Sequence, residues 1–168
     1  MTRRIGLLGG TFDPVHRGHV GLGTAAQTAL QLTELHLIPT HVSPHRRQPS
    51  TSVFHRFAMV ALAAADHPNW LASDVELRAD GPSYTATTLR RFREAGARAS
   101  ELFFVIGADA FADIQSWREF PAVLDQAHFA VVSRPGFPVT TLPERLPALA
   151  RRMTTDRPPS AAAETTPQ

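Results

Sequence analysis

The sequence contains no cysteine, no lysine and no long uninterrupted hydrophobic run. Without cysteine, disulfide bonds and thiolate metal sites are excluded. A membrane-spanning helix needs about 18 or more consecutive apolar residues, and no such stretch is present. The segment that follows Met1-Thr2-Arg3-Arg4 is too short and too strand-like to resemble a signal peptide. These absences favour a cytoplasmic protein.

The basic charge is carried by arginine alone, with 17 basic residues against 15 acidic ones. The net charge is only +2, although the isoelectric point is about 10.3. Because the arginines are scattered among the acids, a solvated surface is favoured over a stripe that binds nucleic acid. A length of 168 residues with 43% hydrophobic content suits one domain with a real core.

Short apolar runs alternate with helical segments along the first three quarters of the chain. The pattern predicts an α/β fold: a doubly wound, Rossmann-like parallel sheet with helices on both faces, in a single domain. The first helix is expected to bury the face formed by Val20, Ala25, Ala29 and Leu32. Strands are predicted at 5–8, 35–39, 102–106 and 129–132, with extended chain at 70–77. Helices are predicted at about 20–32, 53–66, 87–94, 107–114 and 144–152.

A glycine turn, Gly9 to His19 (GGTFDPVHRGH), joins the first strand to the first helix. It matches neither G-x-G-x-x-G nor the G-K-[ST] of a P-loop. Such turns hold phosphates, because free N–H groups and the positive helix end face the ligand. His16 and His19 are placed to donate to a phosphate there, with Gly18 keeping the space between them open. The alternative, a zinc pair, lacks further ligands at standard spacing.

The turn also fits the pattern [ST]-F-D-P-x-H-x-G-H, which resembles the (H/T)-x-G-H mark of the nucleotidylyltransferase superfamily. Three further segments occur in order: Pro44-His45-Arg46, Gly81 to Thr85, and Gly107-Ala108-Asp109 with Trp117. Together they resemble bacterial nicotinate-nucleotide adenylyltransferases over about residues 4 to 153. That family transfers AMP from ATP to nicotinate mononucleotide, forming deamido-NAD and pyrophosphate.

The resemblance implies roles for individual residues. His16 and His19 are the expected catalytic pair, and Asp13-Pro14 is expected to fix the loop. The expected ATP contacts are Gly9, Gly10, Thr11, Phe12, Gly18, Gly107, Asp109 and Arg134. The expected contacts with nicotinate mononucleotide are Thr40, His45, Arg46, Tyr84, Thr85 and Trp117. For Trp117, stacking on the nicotinate ring is favoured over core packing with Phe120. The histidines outside these motifs are interpreted as structural: His36, His55, His67 and His128.

Magnesium is implied by ATP, held mainly by substrate phosphates, and no residue is assigned to metal. The expected partners are ATP and nicotinate mononucleotide, without nucleic acid or membrane, and the oligomeric state stays open.

The family's late motif, I-S-S-T-x-x-R, has no clear counterpart, and Met153-Thr154-Thr155-Asp156-Arg157 is only a faint echo. We therefore expect a nucleotidylyltransferase domain at 1–153 that lacks the family's C-terminal helical segment, and a disordered tail at 154–168. Two alternatives remain open: a related adenylyl- or cytidylyltransferase with another acceptor, such as phosphopantetheine, and a binding-only remnant without turnover.

Overall fold

The sheet is built from five strands, and the computed structural model describes residues 3–43, 49–78 and 81–155. The strands are β1 (Ile5–Gly10), β2 (Glu34–Pro39), β3 (Trp70–Ala72), β4 (Leu102–Gly107) and β5 (His128–Val132). The α-helices are α1 (Arg17–Leu30), α2 (Val53–Ala65), α3 (Thr85–Glu94), α4 (Ala108–Phe111) and α5 (Leu142–Arg145). Short 3₁₀ turns cover Ala99–Glu101, Ile114–Ser116, Ala122–Asp125, Val139–Thr141 and Pro147–Arg152.

All five strands run parallel, in the order β3-β2-β1-β4-β5. The first strand is central, paired with β2 from Ile5 to Gly10 on one side and with β4 on the other. The chain thus winds outward in both directions from β1, which confirms the doubly wound α/β prediction. In such sheets the loops that follow the strands meet at one edge, where ligands bind.

Each face of the sheet carries its own apolar cluster, because the strands are buried on both sides. Leu102, Phe104 and Ile106 of β4 belong to the cluster that contains Leu89 of α3. Phe103 and Val105 belong to the opposite cluster, which includes Ala26 of α1 and Val60 of α2. Period-two alternation along one strand therefore supplies both cores.

The first helix packs on only part of the predicted face, since Leu32 is buried and Val20 packs against the same cluster. Ala25 and Ala29 are exposed, whereas Gly23 and Ala26 are buried. The cause is the Trp70 side chain, since a Cβ atom at position 23 would lie 2.6 Å from its ring. The Trp70 Nε1–H also donates to Gln27 Oε1 at 2.7 Å, which fixes the indole against α1.

Three element boundaries also differ from the prediction. The first helix begins at Arg17 rather than near Val20, because its capping residue is His16. The extended segment at 70–77 forms strand only over Trp70–Ala72, followed by a turn. The helix predicted at 144–152 divides into α5 and a 3₁₀ turn that opens at Pro147, whose ring nitrogen has no hydrogen to donate to a continuing helix.

The proposed tail at 154–168 lies, apart from its first two residues, outside the described part of the chain. Over the described ranges, no helix combines the length and apolar character needed to cross a membrane.

Replacement of Gly23 by alanine is expected to destabilise the protein, because the new methyl group collides with Trp70 and Leu35. The matched control is Gly21→Ala on the same helix, where a Cβ atom meets nothing within 4 Å. That control is expected to stabilise by roughly 1 kcal/mol through helix propensity alone. Urea unfolding of both variants measures the difference, and a stabilising Gly23→Ala would contradict the packing described.

Candidate active site

The loops that follow β1, β2 and β4 meet at the carboxyl edge of the sheet. The backbone N–H of Thr40 donates to the carbonyl of Gly10 at 2.9 Å, which extends the β1–β2 pairing beyond both strands. The turn after β1 therefore lies directly beside the loop after β2. Both contain residues that the sequence assigned to the site.

His16 and His19 cap the N-terminus of α1 in a reciprocal manner. The Gly18 N–H donates to His16 Nδ1 at 3.1 Å, and the His16 N–H donates to His19 Nδ1 at 3.3 Å. The two rings stack with their centroids 3.8 Å apart. Each cap satisfies an N–H group that the helix leaves unpaired.

These bonds define which nitrogen of each neutral ring carries hydrogen. Because Nδ1 accepts a hydrogen bond in both rings, the proton of the neutral imidazole lies on Nε2. Each ring therefore presents an Nε2–H donor beside the positive end of α1. Two Nε2–H donors at a helix N-terminus are suited to phosphate oxygens.

His19 holds its neutral form over a wide pH range. Its pKa is lowered to about 4, mainly by burial and in addition by electrostatic repulsion from His16 and Arg134. At neutral pH, His19 thus donates one hydrogen bond from Nε2 without carrying a charge. The dependence on Arg134 also shows that the loop after β5 acts electrostatically on the turn after β1.

Phe12 shapes the turn from within. Its backbone is left-handed, with φ of 50°, an unusual conformation for a bulky residue, and its side chain is buried. The ring lies edge-on to His19, with centroids 4.8 Å apart. A Cβ atom at Gly10 would lie 3.2 Å from the Phe12 ring, and one at Gly18 would lie 3.0 Å from the His16 ring. These glycines therefore leave room for the two aromatic rings.

Gly107, Asp109 and Arg134 converge at the end of β4. A Cβ atom at position 107 would lie 2.4 Å from Asp109 Oδ1 and 2.6 Å from Arg134 Nε. Asp109 Oδ1 and Arg134 Nε are 3.6 Å apart, an ion pair. Asp109 Oδ1 is buried without a hydrogen-bond partner, so this oxygen has unused accepting capacity.

Thr40, Tyr84 and Thr85 are brought to the other side of the turn. The loop after β2 is joined to the segment before α3 by two hydrogen bonds: His41 N–H donates to Ser83 Oγ at 3.0 Å, and Ser83 N–H donates to the Val42 carbonyl at 2.8 Å. Tyr84 is the N-cap of α3 and Thr85 its first residue, and no side chain caps this helix end. His45 and Arg46 lie outside the described residues.

Trp117 is half-buried and lies edge-on to Phe104, with ring centroids 6.3 Å apart. It packs against the cluster that contains Leu89, so part of its ring contributes to the core. The next residue, Arg118, places its guanidinium 4.7 Å above the Tyr84 ring. Tyr84 therefore contacts the residue that directly follows Trp117, so the two aromatic residues expected to contact nicotinate mononucleotide lie in neighbouring segments.

Sequence reasoning missed Arg56 and Glu76, which connect these loops. Arg56 is buried on α2 and binds the carbonyls of Thr11 and Thr40. Glu76 Oε1 accepts from Thr88 Oγ1 at 2.7 Å; burial raises the pKa of Glu76, with hydrogen bonds and Arg91 opposing it. One feature of the sequence could have revealed Arg56. It lies four residues before Val60 and eight before Ala64, which places its charge on the apolar face of the helix.

The residues at this edge do not fit a magnesium ion held by the protein. Within the described part of the chain, no three histidine, aspartate or glutamate side chains are grouped as metal ligands. Asp109 offers the one unsatisfied carboxylate oxygen beside Gly107, but Arg134 lies 3.6 Å from it and repels a cation. A divalent ion at this site would have to be bound by other groups, such as substrate phosphates.

Comparison with known proteins gives consistent matches. Residues 7–160 match the family model described as cytidylyltransferase-like. A probable nicotinate-nucleotide adenylyltransferase of Aeromonas salmonicida is 44% identical over 152 residues, covering 90% of this chain and 71% of the relative. One from Roseiflexus is 41% identical, covering 89% of this chain and 75% of the relative. For the relative from Aeromonas hydrophila, also 44% identical, the matched region spans 62% of its length.

Solved structures share the fold at low sequence identity. A Plasmodium falciparum nicotinic acid mononucleotide adenylyltransferase complexed with NaAD superposes with a TM-score of 0.73 at 19% identity, covering 85% of this chain and 71% of that one. A Vibrio parahaemolyticus structure described as a putative nicotinate-nucleotide adenylyltransferase gives 0.62 at 17% identity, covering 87% and 93%.

His19 is expected to titrate with a midpoint near pH 4 in the folded protein. Arg134→Gln should raise that midpoint, because it removes a positive charge that disfavours the imidazolium. NMR titration of the His19 ring protons measures both values, with assignment from a His19→Gln variant. Arg78→Gln, which removes an exposed arginine paired with Asp74, serves as the control. A wild-type midpoint near 6.5 would contradict the burial described.

Proposed function

The chain belongs to the cytidylyltransferase-like family and, within it, to the nicotinate-nucleotide adenylyltransferases, and on that premise we propose that it transfers the adenylyl group of ATP to nicotinate mononucleotide. The products are deamido-NAD and pyrophosphate, a step of NAD biosynthesis. One observation carries the proposal: two Nε2–H donors lie at the N-terminus of α1, between the loops that follow β2 and β4.

The proposed reaction is a direct in-line displacement. A phosphate oxygen of nicotinate mononucleotide attacks the α-phosphorus of ATP, and the bond from that phosphorus to the bridging oxygen breaks. Pyrophosphate leaves with the electron pair of that bond. Such transfers depend on positioning and on electrostatic stabilisation of the transferred group more than on covalent help.

His16 and His19 are proposed to stabilise the α-phosphate as it is transferred. Their Nε2–H groups already point in fixed directions, so little reorganisation accompanies the reaction. Because His19 is neutral well below pH 7, it acts as a hydrogen-bond donor rather than as a general acid. This distinguishes its proposed role from proton transfer.

ATP is proposed to lie across β1 and β4. The turn formed by Gly9, Gly10, Thr11, Phe12 and Gly18 faces the phosphates in this proposal, and Gly107 allows close approach of the nucleoside. The unsatisfied Asp109 oxygen is suited to accept from a ribose hydroxyl. Arg134, ion-paired with Asp109, is proposed to reach the triphosphate.

Nicotinate mononucleotide is proposed to lie on the β2 side. Thr40 is proposed as a phosphate contact together with His45 and Arg46. The uncapped N-terminus of α3 at Tyr84 and Thr85 is suited to the nicotinate carboxylate, since its first turn holds no acidic residue. The exposed part of Trp117 is proposed to stack on the pyridine ring.

Further parts of the proposal follow from the substrates. Magnesium is proposed to arrive on the phosphates of ATP, and no step is assigned to it. The proposed compartment is the cytoplasm, where both nucleotides are found. The transferase unit is proposed to occupy 1–153, with 154–168 as a tail.

A pyrophosphate-release assay with ATP tests the acceptor. Nicotinate mononucleotide is expected to support turnover above nicotinamide mononucleotide, and phosphopantetheine to support none, because a helix N-terminus prefers a carboxylate to an amide. Turnover with phosphopantetheine would instead establish the related-transferase alternative. Binding of nicotinate mononucleotide by calorimetry without turnover on any acceptor would establish the binding-only alternative.

His19→Ala is expected to lower kcat by about 10²-fold, in line with the loss of a preorganised donor. His55→Ala, at an exposed position near the start of α2, is the matched control and should leave kcat unchanged. Steady-state kinetics below the unfolding temperature of each variant makes the comparison. An unchanged kcat in His19→Ala would remove this residue from the mechanism.

A further inference from the structure

Arg56 is a buried cation that the proposed reaction has not used. Its side chain is 1% exposed, although it lies on α2, a helix whose buried stripe otherwise consists of Val60 and Ala64. A charged side chain is rarely fully buried unless it is paired or hydrogen-bonded. The partners of Arg56 therefore indicate what this position does.

The guanidinium binds three carbonyl oxygens with three different nitrogens. Nη1 donates to Thr11 O at 2.5 Å, Nη2 to Thr40 O at 2.8 Å and Nε to Thr51 O at 3.3 Å. Thr11 belongs to the turn after β1, Thr40 to the loop after β2, and Thr51 to the segment that enters α2. One planar group thus holds three separate segments of the candidate site.

Asp13 completes the arrangement. Its Oδ2 accepts from the Thr51 N–H at 3.5 Å. Burial lowers the pKa of the Arg56 guanidinium, and the negative charge of Asp13 opposes that shift. The Thr11 carbonyl bound by Arg56 immediately precedes Phe12, the residue with left-handed backbone and the ring that contacts His19. A chain of direct contacts therefore runs from Arg56 through the turn to His19.

We propose that Arg56 is a positioning residue. It sets the separation between Thr11, in the turn after β1 that is proposed to face the ATP phosphates, and Thr40, in the loop after β2 that is proposed to contact nicotinate mononucleotide. The inference rests on the proposed function, which assigns Thr11 to the ATP side and Thr40 to the nicotinate mononucleotide side. It predicts that the alignment of the mononucleotide phosphate with the α-phosphorus of ATP depends on the planar guanidinium group of Arg56. A lysine in its place keeps the charge, but its three N–H donors all lie on one nitrogen, whereas the guanidinium donates from three nitrogens in one plane.

Substitution of Arg56 could lower activity simply by destabilising the protein, and this effect has to be separated from a loss of positioning. A second buried arginine, Arg4, provides the matched control. Arg4 is also buried, at 7% exposure; its Nε donates to Leu30 O at 2.7 Å and its guanidinium lies 4.5 Å above the Phe103 ring. It precedes β1, at the sheet edge opposite to the candidate site. Arg4→Lys therefore perturbs a buried arginine without touching the site loops.

The experiment compares Arg56→Lys and Arg4→Lys in the full chain by thermal unfolding and by steady-state kinetics below both transitions. Arg56→Lys is expected to lower kcat/KM by at least about tenfold, with a raised KM for nicotinate mononucleotide, since near-attack geometry is sensitive to small displacements. Arg4→Lys is expected to lower the unfolding temperature while its kcat and KM stay within about twofold of wild type. Hydrogen exchange should quicken at Thr40 and Thr51 in the first variant alone.

The outcomes separate this inference from the proposed function. If the wild-type chain turns over no acceptor, the proposed function fails, and calorimetric affinities for ATP and nicotinate mononucleotide together with hydrogen exchange decide the role of Arg56. Wild-type kinetics in Arg56→Lys, or an equal kinetic loss in Arg4→Lys, would overturn the inference. If Arg56→Lys does not fold, Arg56→Gln is tested by the same measurements. If neither variant folds while Arg4→Lys does, Arg56 has a purely structural role and the inference is overturned.

Discussion

The central position of β1 is the constraint on which the rest of the site depends. Its apolar residues are buried by helices on both faces, and its two edges are occupied by β2 and β4. Parallel pairing on both sides brings the ends of three strands to one edge. The turn that carries His16 and His19 therefore emerges between the loops proposed to hold ATP and nicotinate mononucleotide. Every functional contact proposed here depends on that adjacency.

The hydrogen bonds that stabilise the loops at this edge of the sheet also orient the groups of the candidate site. The bonds that cap α1 also fix the tautomers of His16 and His19, so helix stability and donor direction have one origin. The bonds of Arg56 likewise satisfy a buried cation while holding Thr11 next to Thr40. This dual use suits a chain without cysteine, in which no disulfide can immobilise the site.

The sequence predicted the fold better than it predicted the contacts between distant residues. Short continuous apolar runs that alternate with helical segments, together with the glycine turn, were sufficient to predict the doubly wound sheet, because strands buried on both faces leave a strong local pattern. The buried face of α1 was predicted wrongly at Ala25 and Ala29, since the packing there depends on Trp70, which is 47 positions beyond Gly23 in the chain. Arg56 was missed for a similar reason: local context marks a helical arginine as surface, and only the distant carbonyls of Thr11 and Thr40 explain its burial. The roles of individual site residues remain predictions.

The burial that lowers the pKa of His19 has a consequence for a cell under acid stress. A histidine that stays neutral down to about pH 4 behaves like a fixed amide donor rather than a titrating base. A fall of the internal pH by one or two units therefore leaves the hydrogen-bonding pattern of this side chain intact. On the proposed function, supply of the dinucleotide would be decoupled from proton concentration at this residue.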